Sequence, residues 1–143
     1  MGLLRLAQET PEISPATTVM EAVTIMTTRR VGAVAVMRGR RIVGVFTERD
    51  LMRRVVFERR DPATTSVRDV MTSPVRSVPD SMSVAEAAAL MRDEHIRHLA
   101  IVDADGDLLG IVGLRYLLYD LLGELELKVD GLHSYIMADG PGG

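Results

Sequence analysis

GVFTERD, residues Gly44 to Asp50, is a β-type apolar run that ends in a hydroxyl residue and places a carboxylate three positions later. A hydroxyl where a strand ends and a helix begins sits beside outward-pointing backbone N–H groups. The helix dipole there favours negative charge, so phosphate or carboxylate can bind. Asp50 lies one turn further on, near the same opening, where a carboxylate can accept hydrogen bonds from a ribose diol. The same residues, Thr47 to Asp50, are also a T-x-x-D cap, with Thr47 as N-cap and Asp50 near the positive helix end. Spacing alone leaves both roles open.

The rest of the chain supplies a comparison. Shifted by 65 residues, TVMEAVTIM (18–26) falls on SVAEAAALM (83–91), which matches Val19 with Val84, Glu21 with Glu86, Ala22 with Ala87 and Met26 with Met91. One extra residue in the later turn makes the shift 66, and Gly44, Arg49 and Leu51 then fall on Gly110, Arg115 and Leu117. The chain is two copies of one unit. The second copy of GVFTERD is GIVGLRY, with Gly113 in place of Thr47 and Tyr116 in place of Asp50. A cap needed only for folding would be expected in both copies, so the difference favours a binding role for the first.

Each copy reads alike. Thr18 and Ser83 are followed three residues on by Glu21 and Glu86, so both first helices open with a capping box. Val19, Ala22, Val23 and Met26 share one helical face, as do Val84, Ala87, Ala88 and Met91, and these faces are expected core. AVAVM (33–37), a turn at Gly39 and IVGVF (42–46) predict a β-hairpin; LAIV (99–102), DADGD (103–107) and LLGIV (108–112) predict its counterpart. Helical patterns follow at 48–57 and 114–122. Short leading strands are expected near Ile13 and near Val75 to Val78.

The division expected is a first repeat with its lead-in at 1–57, a linker at 58–72, a second repeat at 73–122 and an extension at 123–143. In the extension, ELELKV suits a strand or a helix continuation, and the Gly/Pro end is expected to be mobile. The linker lies within FERRDPATTSVRDVMTSP, whose prolines and hydroxyl residues mark a boundary. A unit of about 60 residues buries little alone, so the two should pack together.

Composition narrows the class. At 47% hydrophobic and 26% charged, the 143 residues suit a globular protein. No apolar run reaches the ~18 residues of a membrane helix, and MGLLRLAQETPEI is too short in apolar length for a secretory signal. Cytoplasmic location is the expectation. The absence of cysteine excludes disulfides, thiolate metal sites and cysteine nucleophiles. Residues 1–70 carry 12 arginines against 8 acids, and residues 71–143 carry 5 basic residues against 12 acids, so the net charge of −3 conceals a basic and an acidic half. That asymmetry suits an anionic ligand on the first half, or antiparallel self-association.

The two-unit layout, GVFTERDL, VRDVMTSPV and IRHLAIVDADGDLLGIV together resemble the cystathionine-β-synthase (CBS) domain family, as a stand-alone tandem pair covering about residues 10–122. The resemblance implies an α/β (α+β) fold of two repeats, each a short strand, a helix, two strands and a helix, packed as one intertwined pair. It implies clefts that bind an adenosyl nucleotide such as AMP, ADP, ATP or S-adenosylmethionine, with no cofactor required. It implies a regulatory rather than catalytic role, homodimers in a flat disc of four units, and an unidentified regulated protein.

Carried over by position, the phosphate-facing hydroxyl falls on Thr47 and the ribose-binding acid on Asp50, with Arg49 at the variable position before the acid. The adenine pocket falls on Val45 together with Pro74, Val75 and Ile96 of the opposite unit. Basic side chains that reach phosphate match Arg97 and His98, where the first copy has only Gly32 and Ala33. The replacements at Gly113 and Tyr116 point to one ligand per chain.

Other constellations carry less. His95 and His98 straddle a helix-to-strand passage without a local third ligand. DADGD has its glycine at the fourth rather than the sixth position of a calcium loop, and Leu114 at the twelfth, so it reads as a hairpin turn. The arginines at 29, 30, 38, 40, 41, 53, 54, 59 and 60 suggest a nucleic-acid patch, but an acidic total and five aromatics argue against it. Ser134 beside His133 does not make a triad. The competing reading is a structural module with vestigial clefts that acts through homo-oligomerisation.

Overall fold

The computed structural model describes residues 2–132, with side chains through residue 125. The Gly/Pro end and the His133–Ser134 neighbours lie outside the described residues. After a 3-10 turn at Leu3–Leu6 come β1 (Glu12–Ile13), α1 (Val19–Arg29), β2 (Ala33–Arg38), β3 (Arg41–Thr47) and α2 (Glu48–Asp50), which runs on as a π-helical stretch, Leu51–Val56. A 3-10 turn at Val67–Asp69 leads into β4 (Ser77–Pro79), α3 (Val84–Glu94), β5 (His98–Val102), β6 (Leu108–Gly113) and α4 (Leu114–Leu132). ELELKV is thus a helix continuation.

Each copy forms its own three-stranded sheet, in the orders β1-β2-β3 and β4-β5-β6. The short leading strand pairs parallel with the middle strand, and the hairpin strands pair antiparallel. The repeat extends into irregularities that no composition reveals. A register shift falls between Val36 and Met37 in one hairpin and between Ile101 and Val102 in the other. α1 and α3 both end on a left-handed residue that is not glycine, Arg30 (φ 58°) and His95 (φ 57°). His95 is therefore a helix C-cap.

The local chemistry follows the residues. Thr18 accepts from the Glu21 N–H while the Glu21 carboxylate accepts from the Thr18 N–H, and Ser83 and Glu86 repeat the exchange. Those hydrogen bonds hold both glutamates below their ordinary carboxylate range. Their contribution is therefore complete at neutral pH and fades as pH falls through the carboxylate range. Thr18→Ala and Ser83→Ala are each expected to lose about 1 kcal/mol in urea unfolding. In the DADGD turn the Asp103 carboxylate accepts from the N–H groups of Asp105 and Asp107, and Gly106 takes φ 87°.

Two main cores lie under the sheets, and each is completed by chain from outside its own α/β unit. The first gathers Ile13, Val19, Met26, Val34, Phe46 and Val55 with Val67 and Val70, which lie between the copies. The second gathers Val78, Met91, Leu99, Ile101 and Leu117 with Leu3, which lies before β1. Leu3 is fully buried, and its backbone N–H donates to the Asp80 carbonyl. The Arg5 guanidinium grips the Asp120 carboxylate with two hydrogen bonds of 3.0 and 3.1 Å. A third, smaller cluster of Ala35, Met37 and Ile111 joins the two sheets. Crossing segments of this kind make the pair one folding unit, because neither half buries its interior alone.

Candidate functional site

β3 delivers Thr47 to the start of α2, and the cap closes as the T-x-x-D spacing expects. Thr47 Oγ1 accepts from the Asp50 N–H (3.2 Å), and Asp50 Oδ2 accepts from the Thr47 N–H (3.0 Å) and hydroxyl (3.1 Å). The other carboxylate oxygen, Oδ1, accepts from the Thr72 hydroxyl at 2.9 Å and lies 3.8 Å from Arg54 Nε. Only 5% of Asp50 is exposed. A carboxylate this buried needs partners for both oxygens, and it has them.

Thr72 reaches Asp50 because residues 71–73 are stitched along the outer edge of β3. Val45 and Thr72 exchange backbone hydrogen bonds (3.0 and 2.9 Å), and the Ser73 hydroxyl donates to the Val43 carbonyl. The Met71 carbonyl accepts from the Arg54 guanidinium at 2.7 Å. Gly44 permits this approach, since a Cβ there would run into the Met71 sulfur. α2 departs from the ordinary helix expected over 48–57: from Leu51 it takes the wider π turn, with the Arg60 N–H donating to the Val55 carbonyl. A π turn differs from an α turn by one residue of hydrogen-bond reach, which side-chain periodicity over six residues does not resolve.

The second repeat contributes His98, at the start of β5 and paired across the sheet with Gly113. Burial pushes the imidazole below its ordinary value; the Asp50 charge opposes this and the Arg97 charge reinforces it. His98 therefore sits in the field of the Thr47–Asp50 cap, with its charged form disfavoured by burial. The absence of a side chain at Gly113 leaves room beside the imidazole, whose nearest atoms would lie 3.7–3.8 Å from a Cβ there.

Of the other residues singled out from sequence, Val45 is buried beside Thr72, Val75 is half-buried, and Arg49, Pro74 and Arg97 are exposed. Ile96 packs against the second core. The sequence reading missed Thr72, Arg54 and the Met71 carbonyl. Thr72 stands in the quoted stretch VRDVMTSPV, but a partner 22 residues away leaves no periodic signal.

Two open depressions lie elsewhere. One sits between the residues before β1, the start of α3 and α4, lined by Arg5, Asp80, Ser83 and Leu121; the other sits between Gln8, Glu12, Leu109 and Ile111. Neither includes Thr47 or Asp50, whose carboxylate is closed off by Thr72. No group of three metal-ligating side chains occurs among the described residues, and no helix there is long and apolar enough to cross a membrane.

Two strand–helix–hairpin–helix repeats, each with a core completed by chain from outside its own strands and helices, define a paired-repeat α+β module. The CBS domain model matches residues 8–56 and 67–123, and the chain belongs to the CBS domain family. It is similar to protein MK0525 of Methanopyrus kandleri, 39% identical over 106 residues; the match covers 73% of this chain but 54% of that protein. It is similar to the CBS domain-containing protein YhcV of Bacillus subtilis, 37% identical over 102 residues and 71% of each chain. Among solved structures, the CBS domain protein PAE2072 from Pyrobaculum aerophilum, complexed with AMP, superposes with a TM-score of 0.75 at 29% identity, covering 90% of this chain and 99% of that one.

Proposed function

We propose that the chain is a regulatory, non-catalytic sensor that binds an adenosyl nucleotide at the Thr47–Asp50 cap and acts as a homodimer on a protein partner. The observation that carries the reading is the buried Asp50 carboxylate, which already accepts two hydroxyl donors, Thr47 and Thr72. A ribose diol presents the same donors and would take the place of Thr72 on Oδ1. A phosphate would lie beside Thr47 and the helix start, within reach of His98 and Arg97 from the other repeat. Val45, Pro74, Val75 and Ile96 would face adenine, and Arg49 would border the site. The AMP complex of PAE2072 supports this ligand class. Ligand that contacts both repeats shifts the population toward the arrangement it binds better.

Titration calorimetry against AMP, ADP, ATP and S-adenosylmethionine tests it. His98→Ala or Arg97→Ala is expected to weaken a phosphorylated ligand about tenfold or more, the value of one charge-assisted hydrogen bond. Bound phosphate would raise the His98 pKa from its depressed free-state position. Affinity should therefore be highest in mild acid and fall as pH rises through the bound-state value, whereas His98→Ala should lack that pH dependence. No binding of any of the four ligands sinks the proposal.

A further inference from the structure

The stretch that closes Asp50 has a counterpart before β1. A shift of 64 residues lays Leu3 on Val67, Ala7 on Met71 and Gln8 on Thr72. Each stretch opens with a 3-10 turn whose first residue is fully buried, Leu3 in one core and Val67 in the other. Each then runs along the free edge of a hairpin: the Gln8 N–H donates to the Ile111 carbonyl (3.2 Å), as the Thr72 N–H donates to the Val45 carbonyl (2.9 Å). Each also passes a glycine, since a Cβ at Gly110 would crowd Ala7 as one at Gly44 would crowd Met71. The edge pairing therefore belongs to both repeats.

The side-chain ties differ. Before β1 the tie is Arg5 to Asp120 on α4, four residues beyond Tyr116, the counterpart of Asp50. In the first repeat the tie is made through Asp50 itself. The Thr72 hydroxyl donates to Oδ1 at 2.9 Å, and Arg54, at the position equivalent to Asp120, donates to the Met71 carbonyl while standing 3.8 Å from the same oxygen. An edge that pairs with glutamine at position 8 does not need a hydroxyl at position 72 in order to form. The hydroxyl bears instead on the acid. Oδ2 already accepts from the Thr47 N–H and hydroxyl, so an incoming hydroxyl that spares the cap has only Oδ1, and Thr72 occupies it. We propose that Thr72 is a built-in competitor for the Asp50 carboxylate, which a ligand diol must displace. This rests on the reading that a ribose diol binds Asp50, and it adds what sets the affinity. Ligand binds only the fraction of molecules in which Thr72 is off Oδ1, and its apparent affinity falls by that fraction. The contact raises the ligand level at which the chain responds, and it favours ligands whose own hydroxyls can replace the one they remove.

Calorimetry on the full chain and its Thr72→Val and Thr72→Ser variants tests this, with AMP and with its dideoxy analogue, which lacks both ribose hydroxyls. Valine keeps the shape of threonine and removes the donor. AMP should therefore bind Thr72→Val about tenfold more tightly than wild type, the scale of one hydrogen bond to a charged group. Thr72→Ser keeps the donor and should match wild type. The dideoxy analogue has no hydroxyl to place on Oδ1 and should bind all three proteins alike. Unchanged or weaker binding of AMP to Thr72→Val would mean that Thr72 stays on Asp50 in the complex. An equal gain for AMP and for the analogue would mean that the substitution only loosens the edge of β3. Either result overturns the competition and leaves the nucleotide reading standing. Absence of AMP binding to all three proteins would overturn both.

Discussion

Asp50→Ala is expected to lower the free energy of unfolding by on the order of 3 kcal/mol and to abolish nucleotide binding. The carboxylate accepts three hydrogen bonds, from the Thr47 N–H, the Thr47 hydroxyl and the Thr72 hydroxyl, in surroundings that exclude most water. Hydrogen bonds to a charged group contribute about 1.5–3 kcal/mol each, and a stranded buried donor costs about 1–3. The losses are not additive, because Thr47 and Thr72 can turn toward solvent once the acid is gone. Thr72→Val separates folding from binding. It removes one donor, costs about 1 kcal/mol, and leaves Asp50 Oδ1 open for a ligand hydroxyl. Urea unfolding with calorimetry on the folded variants measures both quantities. Unimpaired nucleotide affinity in folded Asp50→Ala would remove Asp50 from the site and leave it as a cap alone.

Leu3→Ala should destabilise by about 2–5 kcal/mol, the range for truncating a fully buried leucine. Leu3 stands before the first strand yet is fully buried among Val78, Met91 and Leu99 of the second repeat. An exposed methionine such as Met20, 47% accessible, should change by about 0.5 kcal/mol or less when truncated to alanine. Chemical denaturation that distinguishes these two variants tests whether the segment before β1 is part of the second core. A Leu3→Ala stability equal to that of Met20→Ala would place it outside.

Much of the fold was legible because its signals are local. The capping boxes at Thr18 and Ser83 span three residues, and the turns at Gly39 and Gly106 need a left-handed residue at one place. The inward faces repeat with helical or strand period, and the 65-residue shift showed that one pattern was used twice. The T-x-x-D spacing also foretold Thr47 as an N-cap with Asp50 near the positive helix end, and the structure adds the return hydrogen bond from the Thr47 N–H to the Asp50 carboxylate. The contrast with Gly113 and Tyr116 showed that the second repeat lacks this cap's residues.

What the chain order left undetermined were contacts between residues with no periodic relation. Nothing near Leu3 says that it belongs with Leu99, because a burial partner is chosen by the space a fold leaves open. Nothing in VRDVMTSPV says that the Thr72 hydroxyl closes Oδ1 of Asp50. That contact exists because the stretch between the repeats runs along the free edge of β3, past a glycine that lets it come close. The sequence by itself determined the repeat, the elements and the cap. Only tertiary packing decided that the cap's carboxylate is buried, that burial lowers the His98 pKa beside it, and that each repeat is completed by chain from beyond its own strands and helices. Local rules act through bonds a few residues long, whereas these outcomes depend on which distant groups exclude water together.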